Sequence, residues 1–107
     1  MLATREVNVN LTDGQNHTPL LWAAKEGHEV VVKLLLATSK VDVDLRERYG
    51  QTPLSWAARE GRESVVKLLL ATGKVDVNSK NKKDRTPFSR AARGGHVAVS
   101  NLLHSFK

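Results

Sequence analysis

The 107-residue chain has no cysteine and few large rings: aromatics are 5% of it, including two tryptophans and one tyrosine. Without thiols there can be no disulfide framework and no thiolate metal site, which fits a reducing compartment. With so few rings, a core must rest on Ala, Val and Leu within the 40% hydrophobic content. No apolar run approaches the ~20 residues that span a bilayer. The opening Met1-Leu2-Ala3-Thr4-Arg5-Glu6 also lacks a hydrophobic region of signal-peptide length. The expected location is therefore intracellular, in cytoplasm or nucleus. Acidic residues are scarce in one stretch above all. Residues 80–93 hold Lys80, Lys82, Lys83, Arg85, Arg90 and Arg93 against Asp84 alone, which is +5 of the net +6.

What the chain does contain is repetition at a period of 34 residues. Thr-Pro-Leu/Phe begins at Thr18, Thr52 and Thr86, and Ala-Ala follows at 23–24, 57–58 and 91–92. Gly27, Gly61 and Gly95 keep the phase, as do Val31, Val65 and Val99, and Leu-Leu recurs at 34–35, 68–69 and 102–103. Val41-Asp42-Val43-Asp44 returns as Val75-Asp76-Val77-Asn78 and appears earlier as Val7-Asn8-Val9-Asn10. Self-similarity of this kind marks a repeat array.

Each unit has a physical logic. Thr18 suits an N-cap and Pro19 the first helical position, where no amide hydrogen is needed and φ is already set. Leu20, Ala23 and Ala24 give a short helix one narrow apolar face, and Gly27 can take the left-handed conformation that ends it. A second helix is expected from about Glu29 to Ala37, with Val31, Leu34 and Leu35 on one side. Glu29–Lys33 and Glu63–Lys67 are placed as i, i+4 pairs on the wet side. The Val-Asp-Val-Asp segment alternates with period two and reads as an extended arm before a turn. Helices this short are marginal alone, so the units must stack to bury their apolar faces.

The pattern T-P-L-x-x-A-A-x-x-G-H-x-x-V-V-x-L-L-L with its V-D-V-N arm resembles the ankyrin repeat. The resemblance covers essentially the whole chain. It implies an all-α repeat solenoid: stacked helix-turn-helix units joined by extended, β-hairpin-like fingers. The period is one residue longer than the usual 33, the addition falling before the arm at Ser39-Lys40 and Gly73-Lys74. This longer variant resembles repeats of large fungal ankyrin arrays. The family's His after Thr-Pro-Leu is replaced by Leu21, Ser55 and Ser89, so its usual hydrogen bond is lost or remade. The finger-turn Gly is matched by Asn16, Gly50 and Asp84, all residue types that tolerate positive φ. Residues 1–12 align with the end of a preceding repeat, 13–46 and 47–80 are complete units, and 81–107 is a C-terminal unit. In that last unit Val32/Leu36 and Val66/Leu70 become Ser100/His104, and Trp22 and Trp56 become Arg90. A solenoid needs a polar outer face on its terminal repeat, so a C-terminal cap and a longer array upstream are expected.

Several residues that invite a site reading follow the repeat instead. Trp22 and Trp56 are expected to pack between repeats, and His28 and His96 to make structural hydrogen bonds, with Arg62 at the middle equivalent. Asp42, Asp44 and Asp76 are replaced by Asn8, Asn10 and Asn78 at equivalent positions, which points to turn hydrogen bonds rather than a metal site. Ser55, His28 and Glu60 form a catalytic set only on paper, since no nucleophile elbow, phosphate loop or oxyanion motif accompanies them. No enzyme, metal or cofactor is expected. The family meets partners with its finger tips and the exposed side of its first helices. Matched positions here are Gly14, Gln15, His17, Lys25 and Glu26 in the first full unit. They continue with Arg46, Arg48, Tyr49, Gln51, Arg59 and Glu60, then Lys80, Lys82, Lys83, Arg85, Arg93 and Gly94. The expected function is a monomeric protein-interaction module that meets an acidic protein surface, anchored at Tyr49 and steered by charge. The alternatives are a spacer or cap in a larger protein, or nucleic-acid binding through the basic third finger. Neither membrane binding nor a small-molecule substrate is expected.

Overall fold

The computed structural model describes Gly14 and residues 17–38 and 41–105. The expectations for residues 1–12, for Gln15 and Asn16, and for the Ser39-Lys40 insertion lie outside these residues. Among the described residues six helices come in three pairs: α1 Pro19–Glu26 with α2 Glu29–Leu36, α3 Pro53–Glu60 with α4 Glu63–Ala71, and α5 Pro87–Arg93 with α6 Val97–Ser105.

The start of each pair follows from local chemistry. Thr18 Oγ1 accepts from the Leu21 amide at 3.1 Å, and Thr52 and Thr86 repeat the bond to Ser55 and Ser89 at 3.2 Å. Each Thr satisfies an amide that the helix leaves unpaired, and proline removes another. At the other end Gly27 and Gly61 adopt φ of 76° and 72°. These two glycines are needed twice over. A Cβ on Gly27 would come within 2.9 Å of the Arg62 side chain, and one on Gly61 within 2.5 Å of the His96 ring. The space they leave admits a bond between repeats: Arg62 Nε donates to the Lys25 carbonyl at 3.1 Å, and His96 Nε2 lies 3.0 Å from the Arg59 carbonyl. The expected structural role of His96 is thus present, and Arg62 performs the same task one unit earlier.

The first helices form one row, with α1 on α3 and α3 on α5, while α2, α4 and α6 form the second. The first row packs more closely, because Ala23, Ala24, Ala57, Ala58 and Ala91 let the backbones approach. Leu20, Leu54, Val32, Val65, Val66 and Leu69 are all about fully buried between the rows. One expectation changes here. Val65, Leu69, Val99 and Leu103 are buried, but Val31 and Leu34 of α2 are 44% and 65% exposed. Helix α4 is covered by α2 on this face, and α6 by α4; the buried residue of α2 is Val32, on the side that meets α4. The polar substitutions of the third unit also have a structural counterpart. Val32 and Val66 are fully buried where Ser100 is half-buried, and Leu36 and Leu70 are half-buried and buried where His104 is exposed. Glu29–Lys33 and Glu63–Lys67 pair at 3.4 and 3.5 Å as expected.

The fingers contain no β-strand among the described residues. Each is closed by one pair of loop bonds: Glu47 N–H to the Gln51 carbonyl and Gly50 N–H to Glu47 in one, Asn81 to Arg85 and Asp84 to Asn81 in the next. Gly50 and Asp84 take positive φ, 80° and 61°, at the predicted position. Among the described residues a single backbone–backbone bond, Lys82 N–H to the Tyr49 carbonyl at 3.0 Å, joins adjacent fingers, too few to build a ladder.

The aspartates of the arm make the expected turn bonds. Asp42 Oδ1 accepts from Asp44 N–H at 3.1 Å, Asp76 Oδ1 from Asn78 N–H at 3.0 Å, and Asp44 Oδ2 from Asp76 N–H at 2.9 Å. Burial pushes the Asp44 carboxyl above its ordinary range; Asp76 and Asp42 add to this, while the Asp76 amide and Arg46 oppose it. Its Oδ1 is buried without a hydrogen-bond partner. A raised pKa means that the folded state holds this proton more tightly than the unfolded chain, so stability falls as pH rises from the unfolded value of about 3.9 through the folded one. Asp44→Asn, which copies Asn78, should therefore raise the melting temperature at neutral pH. The gain should be only a few tenths of a kcal/mol, because the group is partly in solvent. Thermal melts of both proteins at neutral pH and at about pH 4 test this; a gain equally large at the lower pH would contradict it.

Candidate functional site

Three residues along each first helix separate Trp22 from Lys25, Trp56 from Arg59 and Arg90 from Arg93, so each pair shares a helix face. The close Ala contacts fill the space between helices and leave no room for a large ring there. Both tryptophans accordingly stand on the outer side, Trp22 42% exposed and Trp56 half-buried. The expected packing between repeats is met on the outer side of the first helices and not by burying the rings. Contact between repeats is made through cations instead: Lys25 Nζ lies 4.9 Å from the Trp22 ring centre and 4.8 Å from that of Trp56. Arg59 stands 5.2 Å from Trp56, and His17 meets Trp22 edge-on at 5.1 Å. Each exposed cation–ring contact contributes about 0.5–1 kcal/mol.

The finger beside this ladder is organised by a buried acid. Glu47 is 5% exposed, and its Oε1 accepts from the amides of both Tyr49 and Gln51. Its Oε2 lies 3.7 Å from His17 Nε2. Asn81, one period later, does the same for Lys83 and Arg85 at 2.8 and 3.0 Å. Gln51 joins the two fingers: its Oε1 accepts from Ser55 Oγ at 2.6 Å and from Asn81 Nδ2 at 3.2 Å. Arg46 Nη1 adds a bond to the Lys80 carbonyl at 2.8 Å.

Between fingers and first helices lies an open cleft of about 560 Å³. Lys25, Trp56, Arg59 and Arg90 form its helical wall, and Tyr49, Lys82 and Lys83 its finger wall. Glu47, Gln51 and Asn81 line it between them, with His17 on the first-unit side. Burial holds the Arg90 guanidinium below its ordinary pKa, and the charges of Arg59, Arg85 and Arg93 push the same way, offset in part by Glu60. Lys25, Arg59, Lys82, Lys83 and Arg90 thus line the cleft against Glu47, with Arg59 also paired to Glu60.

The expected partner positions divide on this surface. Lys25, Tyr49, Arg59, Lys82 and Lys83 meet in the cleft. Glu60 is held by Arg59 at 2.6 Å, and Arg48 lies 5.6 Å from the Tyr49 ring. Glu26, Arg46, Lys80, Arg93, Gly14 and Gly94 are exposed beyond the cleft lining, and the half-buried Arg85 also lies outside it. Gln51 is 5% exposed and works inside the finger. Trp56, Arg90 and Glu47 were not among the expected partner positions. The i, i+3 aromatic–cation spacing of Trp22–Lys25 and Trp56–Arg59 is the sequence signal that points to Trp56, and Arg90 stands at the same position of the period. Of the set drawn on paper, Ser55 Oγ donates to Gln51 and Glu60 is paired with Arg59. Ser55 and Ser89 remake the missing His bond in different ways, Ser89 Oγ accepting from Thr86 N–H and donating to its carbonyl, while Leu21 is simply buried. Among the described residues no helix is long and apolar enough to cross a membrane, and no cluster of His, Asp or Glu has the arrangement of a metal site.

A family model of ankyrin repeats, three copies, matches residues 1–81. A search of curated proteins finds no match to the chain. The chain belongs to the ankyrin-repeat family, and its third helix pair, beyond the matched stretch, repeats the geometry of the two before it.

Proposed function

We propose that this chain is a non-catalytic binding module that receives an acidic segment of a partner protein in the cleft between its fingers and first helices. Ankyrin repeats are generally protein–protein interaction modules, and the family is typically non-catalytic. The observation that carries the reading is the charge of the cleft: Lys25, Arg59, Lys82, Lys83 and Arg90 line it, and its one acid, Glu47, is engaged by two finger amides. The surface is held in place by bonds between repeats, so little ordering opposes binding. Nucleic acid is the weaker reading, because stacking along a strand needs several large open rings and the cleft has only Tyr49 and the half-buried Trp56 among its described lining.

Selection of a random displayed peptide library on the 107-residue chain should enrich Asp- and Glu-rich sequences. Lys83→Glu with Arg85→Glu should weaken the best of them about tenfold and flatten the salt dependence. Enrichment of neutral or basic peptides, or an affinity constant between about 50 and 300 mM salt, would refute the reading.

A further inference from the structure

Two donors on residues that line this cleft lack acceptors. Trp56 Nε1 and Arg90 Nε are both buried and make no hydrogen bond, although both residues line the cleft. Buried donors are normally paired, and leaving one unpaired costs about 1–3 kcal/mol. They belong to adjacent repeats at the same position of the 34-residue period, so α3 and α5 present them side by side. The groups lying against the Trp56 ring are the flexible ends of Lys25 and Arg59, which can swing aside. Arg59 is at present paired with Glu60 and can exchange it for an incoming acid.

We propose that Trp56 and Arg90 form the anchor pocket of the cleft, which takes one carboxylate side chain of a bound acidic peptide. The inference rests on the cleft being a binding surface for acidic segments and names where such a segment is fixed. A carboxylate has two oxygens in one plane. The Arg90 Nε–H and a terminal N–H are parallel and can donate to one oxygen each, and the Trp56 Nε1–H supplies a third donor to the same carboxylate. A point charge does not reproduce this fork, so Arg90 and lysine are not equivalent here. The surrounding Arg59 and Lys82 attract the peptide, while the two orphan donors decide which atom sits at the centre.

The test uses the whole chain and three short peptides of equal length: alternating Gly-Glu, alternating Gly-Gln, and Gly-Glu with one phosphoserine in place of a central Glu. Binding is read by fluorescence anisotropy at about 50 mM salt. The Gly-Glu peptide should bind and the Gly-Gln peptide should not. Trp56→Phe, which keeps the ring, and Arg90→Lys, which keeps the charge, should each weaken Gly-Glu binding about five- to tenfold. Lys33→Ala on the far side of the stack should change nothing, and unchanged melting of each variant shows that the fold is intact. If Lys83→Glu with Arg85→Glu weakens binding but Trp56→Phe and Arg90→Lys do not, the cleft is steered by charge alone and the pocket assignment is wrong. If no peptide binds, the proposed function falls with it. Binding of the phosphoserine peptide with no binding of Gly-Glu would overturn the carboxylate assignment. A single-stranded oligonucleotide that binds more tightly than Gly-Glu and shows the same losses would overturn the peptide assignment.

Discussion

Leu54→Ala is expected to lower the stability of the chain by about 3 kcal/mol, enough to move its melting temperature by roughly 10–15 °C. Leu54 is fully buried on α3, the helix that packs against both α1 and α5. Removing its methyl groups loses their transfer energy and opens a cavity that these tightly stacked Ala-lined helices cannot close. Because each repeat is stabilised mainly by its neighbours, damage in the middle unit weakens two interfaces at once. The same change at Val30, which is 68% exposed, should cost less than about 0.5 kcal/mol. Urea denaturation of both variants decides the matter; a loss below about 1 kcal/mol for Leu54→Ala would mean that α3 is not the centre of the stack.

Glu47→Ala should cost about 1–3 kcal/mol and loosen both described fingers. Truncation leaves the Tyr49 and Gln51 amides without their acceptor in a site that is 5% exposed. The Tyr49 carbonyl in turn holds the Lys82 amide, so the damage passes to the next finger. Glu47→Gln is the informative companion. Its amide oxygen can take the place of Oε1, so most of the stability should return even though the charge is gone. Hydrogen exchange at the Tyr49, Gln51 and Lys82 amides reads this locally: fast in the alanine variant, protected in the glutamine one. If both variants lose stability equally, the carboxylate charge toward His17, 3.7 Å away, matters more than the hydrogen bonds. That outcome would contradict the role given to Glu47.

The ends of the helices were legible residue by residue. A Thr-Pro start and a Gly stop act within about one helical turn, and they recur at Thr18, Thr52 and Thr86 with Gly27 and Gly61. The i, i+4 ion pairs and the positive-φ turn positions at Gly50 and Asp84 belong to the same class. The exposed faces were harder to read. Trp22 and Trp56 have the composition of a core but the position of a surface, because Ala23, Ala24, Ala57 and Ala58 had already filled the space between helices. Val31 and Leu34 keep the letters of buried residues yet stand exposed, since burial depends on the neighbour and not on the residue. Glu47 carries no motif, and only the turn that folds around it shows what its carboxylate does.

The period, the caps and the turn chemistry, and with them the ankyrin-repeat architecture, follow from the amino-acid sequence by itself, because each rests on interactions between residues a few positions apart. The cleft was decided by tertiary structure alone. It depends on Lys25 reaching the ring of Trp56, on Arg62 and His96 reaching back over the glycines, and on Arg90 being left beside Arg59. These groups are separated by a full repeat, and only stacking sets their distances and the charge they share.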